Sequence, residues 1–506
     1  MNPVKLIVSS KNNLKFKYGN KFSEIEKLLK NLQDADKKKG LDTRVVFIDD
    51  ATSAKRSHIK AAKAITEQEA KRAIDDLYKR YLPAYIVILG AQDIFPFQEI
   101  DNPTEDEDAA VPSDLPYACD APFSRKIENF TGPTRVVGRI PDIPGQQADT
   151  KYLQRLINNG IKTKPKHPDV YRNYFAISAW VWKKSTELSL QSMFGHNGKM
   201  INSPNGKGSS NPPYRPFTKK QLQPLTHFYN CHGAQIDLNY YGQKGQSFPE
   251  ALRSGNLPSN ISPGTIVAAE CCYGAELLDP VQNGLASLSI ANNYLANDAI
   301  AFVGSSTIAY GPADSQSLAD LITQYFIKNV LKGASTGRAF LEARQRFLTE
   351  SGPDLDPCEL KTLAQFYLLG DPSLQPAECE EAETIKLTVG NATMNSRKNL
   401  FIKGKSLENS IGTTKKQNAK ASIRDKKQLT EILKKTNFTE RDKKAVYNVK
   451  AKKVDGAIQK KFGAMEVKFH TYQQEYNPGS KNFRYRVLVV KENSAQILGW
   501  RAYESR

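Results

Sequence analysis

Three side chains near the middle of this sequence have the types and neighbours that chemistry needs. His232, with Gly233 after it, ends the apolar run "LTHFYNCHG"; Cys271 and Cys272 end "TIVAAECCYG". A thiol near an imidazole is the equipment of a cysteine hydrolase. The thiolate attacks a carbonyl, the imidazole protonates the leaving amine, and main-chain N–H groups hold the oxyanion. Gly233 and Gly274 would let a peptide backbone approach. Cys231, His232, Cys271 and Cys272 also have the composition of a zinc site, but adjacent residues on extended chain diverge, which argues against convergent ligands. His227 falls on the opposite face of an extended strand from His232 and reads as core.

Such groups work only if separate strand ends meet at one rim. "YIVILG" (85–90), "TRVVGRI" (134–140), "NYFAISAWVW" (173–182), "LTHFYN" (225–230), "TIVAAE" (265–270) and "AIAFVGSST" (299–307) are apolar, largely β-branched runs, the pattern of strands buried on both faces. Helical spacing falls between several of them, over 59–79, 280–297, 314–332 (from an N-cap at Asp314 or Ser315) and 336–350. The alternation predicts an α/β domain with a mostly parallel sheet, whose ligands bind beyond the carboxyl ends of the strands. His232, both cysteines, Gly304 to Ser306, and Ala179 to Trp182 all follow such ends.

The formal charge of +19 is unevenly spread: from Lys386 onward there are 28 Lys and Arg against 10 Asp and Glu. The first three quarters are nearly neutral, so the basic tail is a separate physical object, divided from the rest near "GDPSLQPAECEEAETIK". Within the tail a helix is predicted at 427–436, followed by alternating strands; 391–426 reads as a flexible connector. A charge excess of this size suits nucleic acid, an acidic protein, or the chain's own acidic segment "DNPTEDEDAA" (101–110), which reads as an exposed loop. Six irregularly spaced cysteines do not suggest a disulfide framework or a zinc motif, and no apolar run is long enough for a secretory or membrane-spanning segment. A cytoplasmic protein without cofactor or membrane partner is expected.

The ordered set "CHG", "AAECCYGA", "AFVGSSTIAYGP" and "LLGDPSL", preceded by "YIVILGAQDIFPF", "VPSDLPYACD" and "VVGRIPD", resembles the gingipain-type cysteine peptidases of the caspase-like clan. The resemblance spans roughly 59–376. It implies a caspase-like, mostly parallel sheet flanked by helices (165–376) and a smaller α/β subdomain before it (1–150); the charge break and the alternation beyond it give a linker (377–426) and a basic α+β domain (427–506). It also implies a dyad of His232 and Cys271, the latter by the family's Cys-x-x-Gly pattern, with Cys272 as the alternative nucleophile on a Cys-x-Gly pattern. The oxyanion donors would be the N–H groups of Gly233 and Cys271. Where relatives have glycine before the histidine, Cys231 stands here.

In that family an acidic residue on the loop after the strand preceding the histidine selects a basic P1 side chain. The corresponding loop is "AWVWKKSTELSLQS", and Glu187 is its only carboxylate. Tyr310 is expected as an aromatic pocket wall, with Asp237 as a further source of local acidity. The expectation is therefore a bacterial, intracellular endopeptidase acting on protein or peptide substrates after Arg or Lys. It would be gated by a partner, nucleic acid or self-cleavage, with a role in defence compatible with such gating. The alternative is a silent caspase-fold scaffold whose basic domain binds nucleic acid or an acidic protein.

Overall fold

A computed structural model of the chain describes residues 2–205, 214–379, 389–417, 423, 425–451, 467–477 and 483–506. Ten strands form one sheet. From one edge their order is Asp42–Phe47, Val4–Ser9, Tyr85–Leu89, Val137–Ile140, Phe366–Leu369, Ala301–Ser305, Ile266–Ala269, Thr226–Asn230, Tyr174–Ala179 and Met200–Ser203. Every pairing is parallel except that between Phe366–Leu369 and Ala301–Ser305. Two five-stranded parallel halves thus meet at one antiparallel seam. The expected 1–150 and 165–376 units share this sheet, and the seam strand of the first half comes from the end of the second. That strand is absent from the sequence reading because "FYLL" follows the helix Pro357–Gln365 without a break.

The apolar runs are buried as their composition requires: every residue of Tyr174–Ala179, Thr226–Asn230, Ile266–Ala269 and Ala301–Ser305 is inaccessible or nearly so. Helices differ more from expectation at their starts. The first begins at Glu67, where the Thr66 hydroxyl accepts from the Glu69 N–H, and not near 59. Only Ile290–Ala296 of 280–297 is helical, and the helix expected from Asp314 or Ser315 begins at Ala319.

Charged residues in the interior are paired across the fold. Lys5 is enclosed between Asp36 and Asp371, so the aspartate of "GDPSL" carries an ion pair besides accepting from the Ser373 N–H at 2.9 Å. The acidic loop 101–110 is exposed at Asp101, Glu107 and Ala109, but two of its aspartates turn inward. Asp106 and Asp108 are buried around the Lys361 ammonium, with the hydroxyls of Tyr310 and Tyr273 donating to them at 2.7 and 2.6 Å. A buried ammonium satisfied by two carboxylates is expensive to break, so this cluster pins the 308–310 segment.

His227 lies in the core, with Nδ1 2.6 Å from the Tyr294 hydroxyl and Nε2 2.9 Å from the Pro224 carbonyl oxygen. Burial lowers its pKa to about 4. An unfolded imidazole titrates near ~6.5, so between these values the unfolded chain binds a proton that the folded chain refuses. Its contribution is fully present above that unfolded value and is lost as pH falls toward about 4, at up to ~1.4 kcal/mol per pH unit. Urea denaturation from pH ~7 to ~4.5 should show this slope, and His227→Gln should flatten it; equal slopes would remove His227 as its source.

The tail forms a second, antiparallel sheet. Thr413–Gln417, Lys443–Lys450, Val467–Tyr476, Arg484–Glu492 and Ile497–Ser505 follow one another as a meander, and Tyr310–Gly311 of the first part completes it as a sixth strand. The helix Lys426–Thr436 covers one face with Leu429, Ile432 and Leu433. This sheet begins inside the stretch expected as a linker. Part of that stretch is the helix Val389–Ser410, while 380–388, 418–422 and 424 lie outside the described residues. Some of the basic charge meets the chain's own acidic loop: Glu105 takes Lys416 at 2.7 Å and the Tyr447 hydroxyl at 3.0 Å.

Candidate active site

In the second half of the sheet, the strand Tyr174–Ala179 has Met200–Ser203 on one side and Thr226–Asn230 on the other. The chain therefore leaves in opposite directions from this point, and the loops beyond the carboxyl ends part to form a crevice. The Trp182 and His232 rings pack against each other there, with centroids 4.3 Å apart and planes tilted by 57°. Phe248 packs against the histidine at 5.5 Å.

His232 is held on both backbone sides by Tyr241, through two 2.8 Å hydrogen bonds. Its Nε2 is 2.8 Å from Gln243 Oε1. Gln243 Nε2 donates to the Gly245 oxygen at 3.2 Å, so Oε1 is the acceptor. This network assigns the proton to Nε2 of His232 and leaves the lone pair on Nδ1. Burial, with smaller contributions from the Arg484 and Arg506 charges, lowers its pKa to about 3.

The two cysteines diverge, as neighbours on extended chain do. Cys271 points into the core beside Cys231, among Tyr229, Tyr240 and Phe302, and burial raises its pKa well above that of a free thiol. Cys231 thus fills a small core volume next to Cys271. Cys272 belongs to the opposite face. Its sulfur accepts from the Ala309 N–H at 3.3 Å, and it borders a hollow of about 260 Å³ together with Gly233, Tyr273, Ile308, Tyr485 and Ser505. Gly233 is required by close approach: a Cβ there would stand 1.9 Å from the Cys272 carbonyl oxygen.

The cleft is occupied by the chain's own last residues. Ser505 and Glu504 pair antiparallel with Tyr310 and Gly311, and the Arg506 N–H donates to the Ala309 oxygen at 2.8 Å. The Arg506 oxygen accepts from the N–H of Cys272 at 3.2 Å and of Gly233 at 3.5 Å. The sequence reading names the N–H groups of Gly233 and Cys271 as oxyanion donors; the pair on the Arg506 oxygen is Gly233 and Cys272.

The Arg506 side chain is buried. One terminal nitrogen donates to Asn230 Oδ1 at 2.8 Å; the other donates to Asp320 Oδ1 at 3.0 Å and the Pro312 oxygen at 3.1 Å. Its guanidinium lies 4.6 Å from the Trp182 ring centroid. Gly311 leaves the space for it, since a Cβ there would be 2.1 Å from the guanidinium. Asp320 is in the first turn of the helix Ala319–Leu331, where the helix dipole favours a carboxylate, and it accepts from Ser185 Oγ at 2.7 Å. Glu270 is also buried beside it; burial and then the Asp320 charge raise its pKa well above the carboxylate range, so it is held neutral.

Glu187 and the Tyr310 ring lie away from the Arg506 guanidinium, whereas Asp237 borders the hollow beside Cys272. Glu187 is on the outer face of the helix Lys183–Phe194, 3.6 Å from Lys183, because the helical turn carries it away from the crevice that Trp182 enters. Tyr310 contributes its backbone to the tail strand while its ring is sequestered against Asp106. Asp237 lines the hollow beside Cys272 and accepts from the Tyr241 hydroxyl at 2.9 Å. Asn230, Asp320 and Trp182 were not singled out as binding residues. Asn230 carried a signal, being an amide at the last position of a buried strand.

The model of peptidase family C25 matches residues 4–377. The chain belongs to that family and is a cysteine peptidase, with the mostly parallel α/β fold of the caspase-like clan. Among curated proteins none matches it. A solved structure described as "Structure of Protease" is similar over 99% of this chain and 96% of that one, with 12% identity and a TM-score of 0.43, too slight a likeness to inform the chemistry. Among the described residues no helix is long and apolar enough to cross a membrane, and no group of three His, Cys, Asp or Glu is arranged to hold a metal ion.

Proposed function

We propose that this peptidase cleaves peptide bonds after arginine, with Cys272 as nucleophile and His232 as its acid–base partner. The observation that carries the reading is Arg506, seated with its oxygen on two convergent N–H groups and its guanidinium on Asp320 and Asn230. A scissile carbonyl in that position would have its carbon next to Cys272 and its oxygen where negative charge develops. Nδ1 of His232 takes the Cys272 thiol proton as the sulfur attacks, which forms the tetrahedral intermediate. Its collapse expels the amine, which takes a proton from His232, and water then hydrolyses the thioester. Gln243 orients the imidazole, as the third member of such constellations does.

Arginine is preferred over lysine because the two acceptor groups address two different nitrogens of a planar fork. A single ammonium cannot reach both. The test is a peptide library whose cleaved ends are sequenced: arginine should dominate at P1, with lysine well behind. A profile indifferent to basic residues would sink the assignment.

A further inference from the structure

The occupant of the cleft belongs to the enzyme itself. We propose that Tyr503–Arg506 is a built-in competitive inhibitor: the basic C-terminal sheet delivers Arg506 into the specificity pocket, and the peptidase turns over only when that residue is displaced. This rests on the reading of the cleft given above and adds its regulation.

A substrate extending to the scissile bond needs the same groups that the tail uses. The edge strand Tyr310–Gly311 is already paired, the Ala309 oxygen already accepts from Arg506, and both oxyanion donors are taken. A second strand cannot share them, so tail and substrate exclude each other. Cys272 itself is left only 4% exposed. With the cleft closed, burial lifts its thiol to about 12 and holds His232 neutral, the resting state of both groups.

The tail is also presented by a folded body and does not dangle. Tyr503 donates to Asp356 at 3.0 Å, Arg501 pairs with Glu359, and Lys491 stands 2.9 Å from Asp354. These contacts fix the strand on the helix Pro357–Gln365 and its N-cap, just before the cleft. A tethered ligand acts at an effective concentration of about a millimolar or more. A tail that bound with a dissociation constant of only ~10 µM would then leave about 1% of molecules open.

The experiment compares the 506-residue chain with Arg506→Ala and with a chain lacking Glu504–Arg506, which keeps the Tyr503 anchor. Each is assayed for cleavage of an Arg–X peptide and, by fluorescence anisotropy, for binding of labelled Ala-Tyr-Glu-Ser-Arg, which has no bond after its arginine to be cut. Both variants should cleave at least ten-fold faster than the unaltered chain and bind the peptide, while the unaltered chain binds it at least ten-fold more weakly. Equal peptide binding and equal rates in all three would overturn the inhibition and leave arginine specificity standing. Variants that neither bind this peptide nor cut after arginine, but cut elsewhere, would overturn the specificity and the inhibition with it.

Discussion

Cys272→Ala abolishes peptide hydrolysis, by roughly 10,000-fold or more, and Cys271→Ala leaves most of it in place; this is the expected outcome of a kcat/KM comparison. Removing the nucleophile of such a constellation leaves only binding and the oxyanion donors, which is why losses of about that order are usual. Cys271 instead packs beside Cys231 in the core. Its truncation should cost stability of about 1–2 kcal/mol and little of the rate per folded molecule. The comparison is best made in the Arg506→Ala background, where the cleft is free, with thermal melts to separate loss of fold from loss of chemistry. Activity that survives Cys272→Ala and disappears with Cys271→Ala would reverse the assignment.

The second large effect is on selectivity. Asp320→Asn should lower kcat/KM for arginine substrates by about 100-fold, near 3 kcal/mol, because a desolvated guanidinium loses its anionic partner. Glu270→Gln should change it far less, since that carboxyl is held neutral beside Asp320. Glu187→Gln should leave it unchanged, the side chain being turned toward Lys183 on the outer helix face. The measurement is kcat/KM on paired substrates with arginine, lysine and norleucine at P1. A loss of arginine cleavage with Glu187→Gln and none with Asp320→Asn would restore the expectation drawn from the loop after Ala179.

Much of this was legible before any coordinates. Buried strands announce themselves by unbroken apolar runs, and a rim shared by His232 and two cysteines follows from parallel topology alone. What was illegible is of two kinds. The choice between Cys271 and Cys272 depends on the parity of a strand end, and a shift of one residue exchanges core for cleft. The pocket depends on residues distant in sequence. The loop after Ala179 reaches the Arg506 guanidinium through Trp182, while the carboxylate on that guanidinium is Asp320 at the start of a later helix. The acidic loop misled for the same reason: Asp106 and Asp108 read as solvated because Lys361, which neutralises them, lies far along the chain. The occupancy of the cleft by Arg506 left no local signature at all.

The antiparallel seam has a bearing on timing. Phe366–Leu369 lies between Val137–Ile140 and Ala301–Ser305, so neither half of the sheet has both of its inner edges paired until that strand has been made. The strand that fills the cleft, Ile497–Ser505, follows only after a further stretch of synthesis. At about 5–20 residues per second, a ribosome needs on the order of ten seconds to cover that distance. On the proposed reading a nascent chain would carry an assembled but unguarded cleft for that long, with neighbouring nascent copies the arginine-bearing polypeptides nearest to it.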